Sequence, residues 1–234
     1  MICENLKVKE REKTMMERGK RNFYYGVGLI VVFLIWTKLM QTIDVQPWGI
    51  NGSKIGFATL NGWFHKLTGV HMVIYYTTDW LGLVPVLVCF IFATIGLTQW
   101  IKRKKLLKVD YDILFLGIYY IVVIAGYLIF EIIPINYRPI LIEGRMEASY
   151  PSSTTLLVLG VMPTLMMQAN RRLKHKRLEK ILQIVVYLFT TFMVLGRLIS
   201  GVHWLTDIIG SVLLSFGLFY LYKSAVLWYD KTNK

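Results

Sequence analysis

The stretch Gly196-Arg197-Leu198-Ile199-Ser200-Gly201-Val202-His203-Trp204-Leu205-Thr206-Asp207 sets three ionisable residues at fixed spacing between two long apolar runs. Charge at the edge of a membrane-spanning segment marks function more often than it does on a soluble surface. If the chain is helical from Trp204 onward, His203 and Asp207 stand at i and i+4, the separation that brings two side chains onto one helix face. A carboxylate there could hold one imidazole nitrogen and leave the other as nucleophile or base. The same pair could equally be a helix cap or a structural hydrogen bond, so its meaning depends on what else lies on its side of the membrane.

The flanking runs recur along the chain. Of 234 residues, 55% are hydrophobic, and the mean hydropathy is +0.50, too apolar for an ordinary soluble domain. The predicted class is an all-α polytopic membrane protein, a bundle of six transmembrane helices. Its spans are Phe23 to Met40, Trp80 to Ile101, Tyr111 to Ile135, Thr154 to Ala169, Ile181 to Gly196 and Trp204 to Tyr222. These divide the chain into a basic tail (1–22), a membrane domain (23–223) and a short C-terminal tail (224–234). The first run is long, lacks a small-residue cleavage site and carries Trp36 and Lys38, so it reads as a retained anchor.

Net charge is +13, but the 27 Lys and Arg residues are segregated. Seven fall in residues 1–22, five in 102–110, six in 170–180 and three from Lys223 onward. The intervening loops hold only Lys54, Lys66, Arg138, Arg145 and Arg197. This alternation follows the positive-inside rule, so both termini are expected in the cytoplasm and the charge is not read as a nucleic-acid site. The basic loops would also meet anionic lipid. Two cysteines, Cys3 and Cys89, fall on the tail and inside a span, an implausible disulfide pair. No metal-type Cys/His cluster occurs.

The expected outer face gathers polar residues of one chemical kind. The first outer loop, Gln41 to Asp79, carries His65, His71 and the apolar set Phe57, Leu60, Trp63, Phe64 and Leu67, spaced for a short interfacial helix. Trp48, Trp63, Trp80 and Trp204 suit an aromatic belt. The second outer loop contains Arg138-Pro139 and Pro151-Ser152-Ser153-Thr154. Pro151 pre-sets a helix entry, and the hydroxyls beside it stand at the positive end of a helix, where anions bind readily.

Three blocks, Glu131-x6-Arg138-Pro139, Pro151-Ser152-Ser153-Thr154 and Gly196-Arg197-x5-His203-x3-Asp207, resemble in order the motifs of the type 2 phosphatidic acid phosphatase superfamily, whose fold is shared with vanadium haloperoxidases. That family's pattern is Lys-x6-Arg-Pro, Pro-Ser-Gly-His and Ser-Arg-x5-His-x3-Asp. The resemblance implies a lipid phosphatase working without metal or cofactor on a phospholipid or polyprenyl phosphate or diphosphate such as undecaprenyl pyrophosphate. The charge alternation, which puts the three blocks on the outer face, together with the lack of eukaryotic sorting signals, fits a bacterial plasma membrane. By position, His203 would attack phosphorus to form a phosphohistidine and Asp207 would orient it. Arg138, Arg197, Ser152 and Ser153 would hold the phosphate oxygens.

The departures from the pattern set the functional question. Gly196 removes a hydroxyl, and Glu131 reverses a charge. Thr154 stands where the family has a second histidine, the acid that protonates the leaving oxygen, and loss of such a group costs about 10²–10⁴ in rate. Three consequences are open: preference for a diphosphate, whose leaving group needs less protonation; a substitute acid among Glu131, Glu143 and Glu147; or a site kept only to bind lipid phosphate headgroups as a receptor or scaffold.

Overall fold

A computed structural model describes residues 2–232. Among them there are eight α-helices and no strand. The helices are α1 (Ile2–Met40), α2 (Ala58–Thr68), α3 (Met72–Leu81), α4 (Leu83–Arg103), α5 (Tyr111–Ile132), α6 (Ser153–Arg172), α7 (Lys176–Ile199) and α8 (Leu205–Thr232). The basic segment 2–22 and the first apolar run are one continuous helix, and α8 likewise runs past residue 223. Cys89 is a free thiol inside α4, whereas the Cys3 side chain lies outside those described.

α1 and α8 lie antiparallel along most of their length. Glycines let them approach, Gly19 against Trp228, Gly26 against Leu221 and Gly217 against Ile30, the small-residue device of helices that associate in lipid. α6 runs beside α8 in the same direction, tied by Ser211 Oγ to the Ser152 carbonyl at 2.9 Å and Ser215 Oγ to the Leu156 carbonyl at 3.1 Å. The core joins Phe33, Leu116, Tyr150, Leu156, Val158 and Met193, from four helices and the loop before α6. The outer faces of α1, α4, α5 and α7 leave large apolar side chains exposed, among them Leu34, Phe90, Ile121 and Leu188, which suits a lipid surround and not water.

Five segments are long and apolar enough to cross a membrane: Glu12–Met40, Met72–Arg103, Tyr111–Ile132, Lys176–Ile199 and Leu205–Asp230. The chain is thus a multi-pass membrane protein, but the expected count of six is not met on these criteria. The missing segment is α6. Its neighbours α4, α5, α7 and α8 enclose it, burying eleven of its residues, so protein rather than lipid surrounds it and it tolerates Thr154, Thr155, Thr164 and Gln168 inside.

The second span also begins earlier than Trp80. α3 precedes it, separated from α4 only by Gly82. Its threonines read as loop residues, yet Thr77 and Thr78 donate their hydroxyls to the Val73 and Ile74 carbonyls, both at 2.8 Å. Bonds of this kind satisfy the hydroxyls within a helix. The short helix expected around Leu60 and Trp63 is present as α2. One member of the expected aromatic belt is not at the surface. Trp204 is fully buried against Ile55 and Ala58, and its Nε1–H donates to the Tyr137 carbonyl at 2.7 Å.

Candidate active site

The site lies where α1, α5 and α7 end and α6 and α8 begin. Its centre is His203, in the tight connection between α7 and α8. Gly201 has φ +71°, and a Cβ there would meet the Gly69 carbonyl oxygen at 2.0 Å. The chain can pass this point only as glycine, with His71 N–H bonded to the Ser200 carbonyl at 2.9 Å alongside. Asp207 caps the start of α8 by accepting the Trp204 N–H at 2.9 Å on Oδ2, the half of a capping box in which an acidic residue in the first turn reaches back.

The loop from Asn136 to Ser149 folds back on itself without forming strands. Arg138 N–H bonds the Glu147 carbonyl at 3.0 Å, Ser149 N–H bonds the Asn136 carbonyl at 2.9 Å, and Ile142 and Arg145 close the far end. Glu143 and Gly144 both take positive φ at the tip. The fold-back points Arg138, 8% exposed, inward and brings the Ser149 carbonyl to His203.

That carbonyl determines the state of the imidazole. His203 Nδ1 lies 3.1 Å from the Ser149 oxygen and 3.7 Å from Asp207 Oδ2, so the carbonyl, not the carboxylate, makes the hydrogen bond. A carbonyl only accepts, so Nδ1 carries the proton and Nε2 keeps its lone pair. Nε2 is buried and has no partner. Burial, reinforced by the positive charges of Arg138 and Arg197, holds the imidazole well below the usual histidine pKa, keeping it neutral near pH 7.

Two guanidiniums face the same space across Tyr75, whose ring centroid is 4.8 Å from Arg197 and 5.7 Å from Arg138. Each arginine meets a rim carboxylate. Arg197 Nη2 bonds Asp79 Oδ1 at 2.7 Å, and Arg138 Nε lies 3.1 Å from Glu147 Oε2, close enough for an ion pair but without hydrogen-bond geometry. Arg197 Nη2 also donates to Thr154 Oγ1. Arg138 Nε and Nη1 and Arg197 Nε are buried without hydrogen-bond partners. Burying an unpaired charged donor is costly, and an anion would remove that cost here.

The remaining expected residues are dispersed. Ser152 is buried, its hydroxyl directed to Thr155 Oγ1 at 3.1 Å. Ser153 and Thr154 open α6 and line, with Asp79, the polar end of an apolar cleft of about 920 Å³ between α4 and α5. Glu131 is exposed at the end of α5, Glu143 is exposed at the loop tip, and Glu147 faces Arg138. His71 is exposed, and His65 packs on Trp204 at 5.6 Å between ring centroids. Gly196 has a packing role that its motif position did not suggest. A Cβ there would stand 2.7 Å from Thr78 Cγ2, so glycine is what lets α3 reach α7.

Sequence reasoning missed Asp79, Tyr75, Asn136 and Ser149. Asp79, an acid at the start of an expected span, carried a signal of its own. Ser149 acts through its backbone, which no side chain announces.

A model of the PAP2 superfamily matches residues 26–231 of the chain. The fold is similar to a crystal structure of a transmembrane PAP2-type phosphatidylglycerolphosphate phosphatase from Bacillus subtilis, with TM-score 0.60 and 19% identity, over 90% of this chain and 98% of the other. At that identity the likeness concerns the fold alone. No curated protein sequence matches.

Proposed function

Because the chain belongs to the PAP2 superfamily, we propose that it is a lipid phosphatase whose nucleophile is His203. The observation that carries this reading is the unpartnered Nε2 of a neutral, buried His203 beside the unpartnered donors of Arg138 and Arg197. A phosphate group entering this space meets a lone pair on one side and fixed cationic donors on the other, the arrangement that stabilises charge in phosphoryl transfer. The His203 Nε2–phosphorus bond forms as the lipid–oxygen bond to phosphorus breaks. Water then attacks phosphorus, releasing phosphate and restoring the imidazole. The Ser149 carbonyl holds the protonated Nδ1 edge, and Asp207, 3.7 Å away, offsets positive charge that develops on the ring.

The alternation of basic loops supports six passes with both termini in the cytoplasm and the site at the outer face, as in a bacterial plasma membrane. A lipid would present its headgroup at Asp79, Ser153 and Thr154 and lay its tail in the apolar cleft. The substrate class is a phospholipid or polyprenyl phosphate or diphosphate. Phosphatidylglycerolphosphate, the substrate named for the similar structure, belongs on the first panel to be tested. The second reading, a protein that binds lipid phosphate without turning it over, is favoured by one observation: Thr154 supplies no acid at the leaving group.

A phosphate-release screen in detergent over lipid monophosphates and diphosphates, with His203→Ala as control, separates the two. Release that this substitution abolishes supports the phosphatase. No release from any lipid, or release that persists in the variant, leaves the binding protein.

A further inference from the structure

We propose that Asp79 is the proton donor to the leaving oxygen, in place of the histidine that position 154 lacks. The inference rests on the phosphatase reading above and assigns a residue outside its three motif blocks. Arg197 Nη2 donates to both Asp79 Oδ1 and Thr154 Oγ1. Two hydrogen bonds to one nitrogen keep the two oxygens within about 6 Å of each other. The backbone adds to this. A Cβ on Gly82, at the break between α3 and α4, would lie 2.8 Å from the Asp79 carbonyl oxygen and 3.5 Å from Thr154 Cγ2, so the break folds Asp79 against the start of α6.

Asp79 is also accessible from the correct direction. Its side chain is 52% exposed and it lines the polar end of the cleft with Ser153 and Thr154. A lipid whose tail occupies the cleft brings its phosphate ester oxygen past this carboxyl on the way to His203. The other acids lack this placement. Glu131 and Glu143 are exposed away from the cleft lining, and Glu147 stands at Arg138.

The chemistry balances without any further reagent. As the His203 Nε2–phosphorus bond forms and the phosphorus–oxygen bond breaks, the leaving oxygen takes the Asp79 proton and departs as an alcohol. In the second half-reaction water attacks phosphorus, its proton returns to Asp79, and the nitrogen–phosphorus bond breaks. A leaving group that needs no proton, such as nitrophenolate, bypasses this step.

The test uses the full chain in detergent and compares a lipid alkyl monoester, phosphatidate, with p-nitrophenyl phosphate. Asp79→Asn should lower kcat on phosphatidate by about 10²–10³-fold and on p-nitrophenyl phosphate by less than about tenfold, with KM little changed. Adding Thr154→His to that variant should restore much of the phosphatidate rate. Glu147→Gln should not discriminate between the two substrates. Equal loss on both, meaning Asp79 only positions Arg197, or no loss on either, overturns the proposal. If Asp79→Asn does not fold, the wild-type pH profile decides: kcat should fall on the basic side with phosphatidate only, and matching profiles overturn the assignment. Release that survives His203→Ala, or no release by the wild type, overturns the phosphatase reading beneath it. Loss in His203→Ala with an unselective Asp79→Asn overturns the Asp79 assignment alone.

Discussion

Two groups of buried charge sit at opposite ends of α6, and they differ in how completely they are paired. At the end near Arg172, Arg171 makes a two-bond contact with Asp230 at 2.8 and 3.0 Å and approaches Asp112 at 3.4 Å. Arg172 bonds Asp112 at 2.8 Å, and Gln168 bonds Tyr222 at 3.0 Å. No side-chain atom of these residues is buried without a partner among those described. At the end near Thr154, buried donor atoms of Arg138 and Arg197 and the Nε2 of His203 lack hydrogen-bond partners. A closed network holds α5, α6 and α8 together, whereas an open one stores the capacity to bind something. Residue type does not separate the two, since both are built of arginine and aspartate.

The comparison is sharpest under substitution. His203→Ala should reduce phosphate release by on the order of 10³-fold or more, as removal of a nucleophile does, while thermal unfolding in detergent is unchanged or shifts slightly upward. Asp112→Ala should do the reverse. Breaking a buried pair by removing one partner costs about 3–5 kcal/mol, so the unfolding midpoint should fall well below wild type with turnover per folded molecule within about twofold. If Asp112→Ala instead abolished turnover in protein that remained folded, the division between a structural and a functional end would collapse.

A smaller effect separates the ends by ligand. Orthovanadate, a phosphate mimic, should raise the unfolding midpoint of wild type and of Asp112→Ala, in line with about 2.7 kcal/mol at a concentration one hundred times Kd. Arg138→Ala should lose this gain. An equal gain in all three would place the anion elsewhere.

The smallest effect is in pH. His203 has a lowered pKa in the folded protein, so below about 6.5, the ordinary histidine value, the unfolded chain binds a proton that the folded one does not. Stability therefore falls as pH drops below about 6.5 and levels off once the folded-state pKa is passed. Wild type should lose up to about 1.4 kcal/mol per pH unit in that window relative to His203→Gln. Parallel unfolding curves from pH 7 to 5 would mean His203 is not held neutral.

Much of this arrangement was legible in the residues, for identifiable reasons. The apolar runs reported the membrane helices, and the spacing of Arg197, His203 and Asp207 named side chains that the structure brings into one cluster, because both signals live in side chains. Four features were hidden. α6 was counted as one span among six on apolarity alone, but its threonines and Gln168 reflect enclosure by other helices. α3 was read as loop because its threonine hydroxyls are satisfied inside the helix, a bond invisible in sequence. The partner of His203 Nδ1 is a backbone carbonyl, so Asp207, the carboxylate at the right spacing, took the role in expectation while standing 3.7 Å away. Asp79 was overlooked because the motifs pointed to loops two and three, whereas Asp79 reaches the site from α3.

The central claim is that the open charge cluster exists to hold phosphate against His203. Its most direct test is to quench the purified protein during turnover of a radiolabelled lipid phosphate and map the covalent label. An acid-labile, base-stable phosphoryl group on His203, absent from His203→Ala, is the predicted result. Steady phosphate release by the wild type with no label on His203, or with label on another residue, would contradict it.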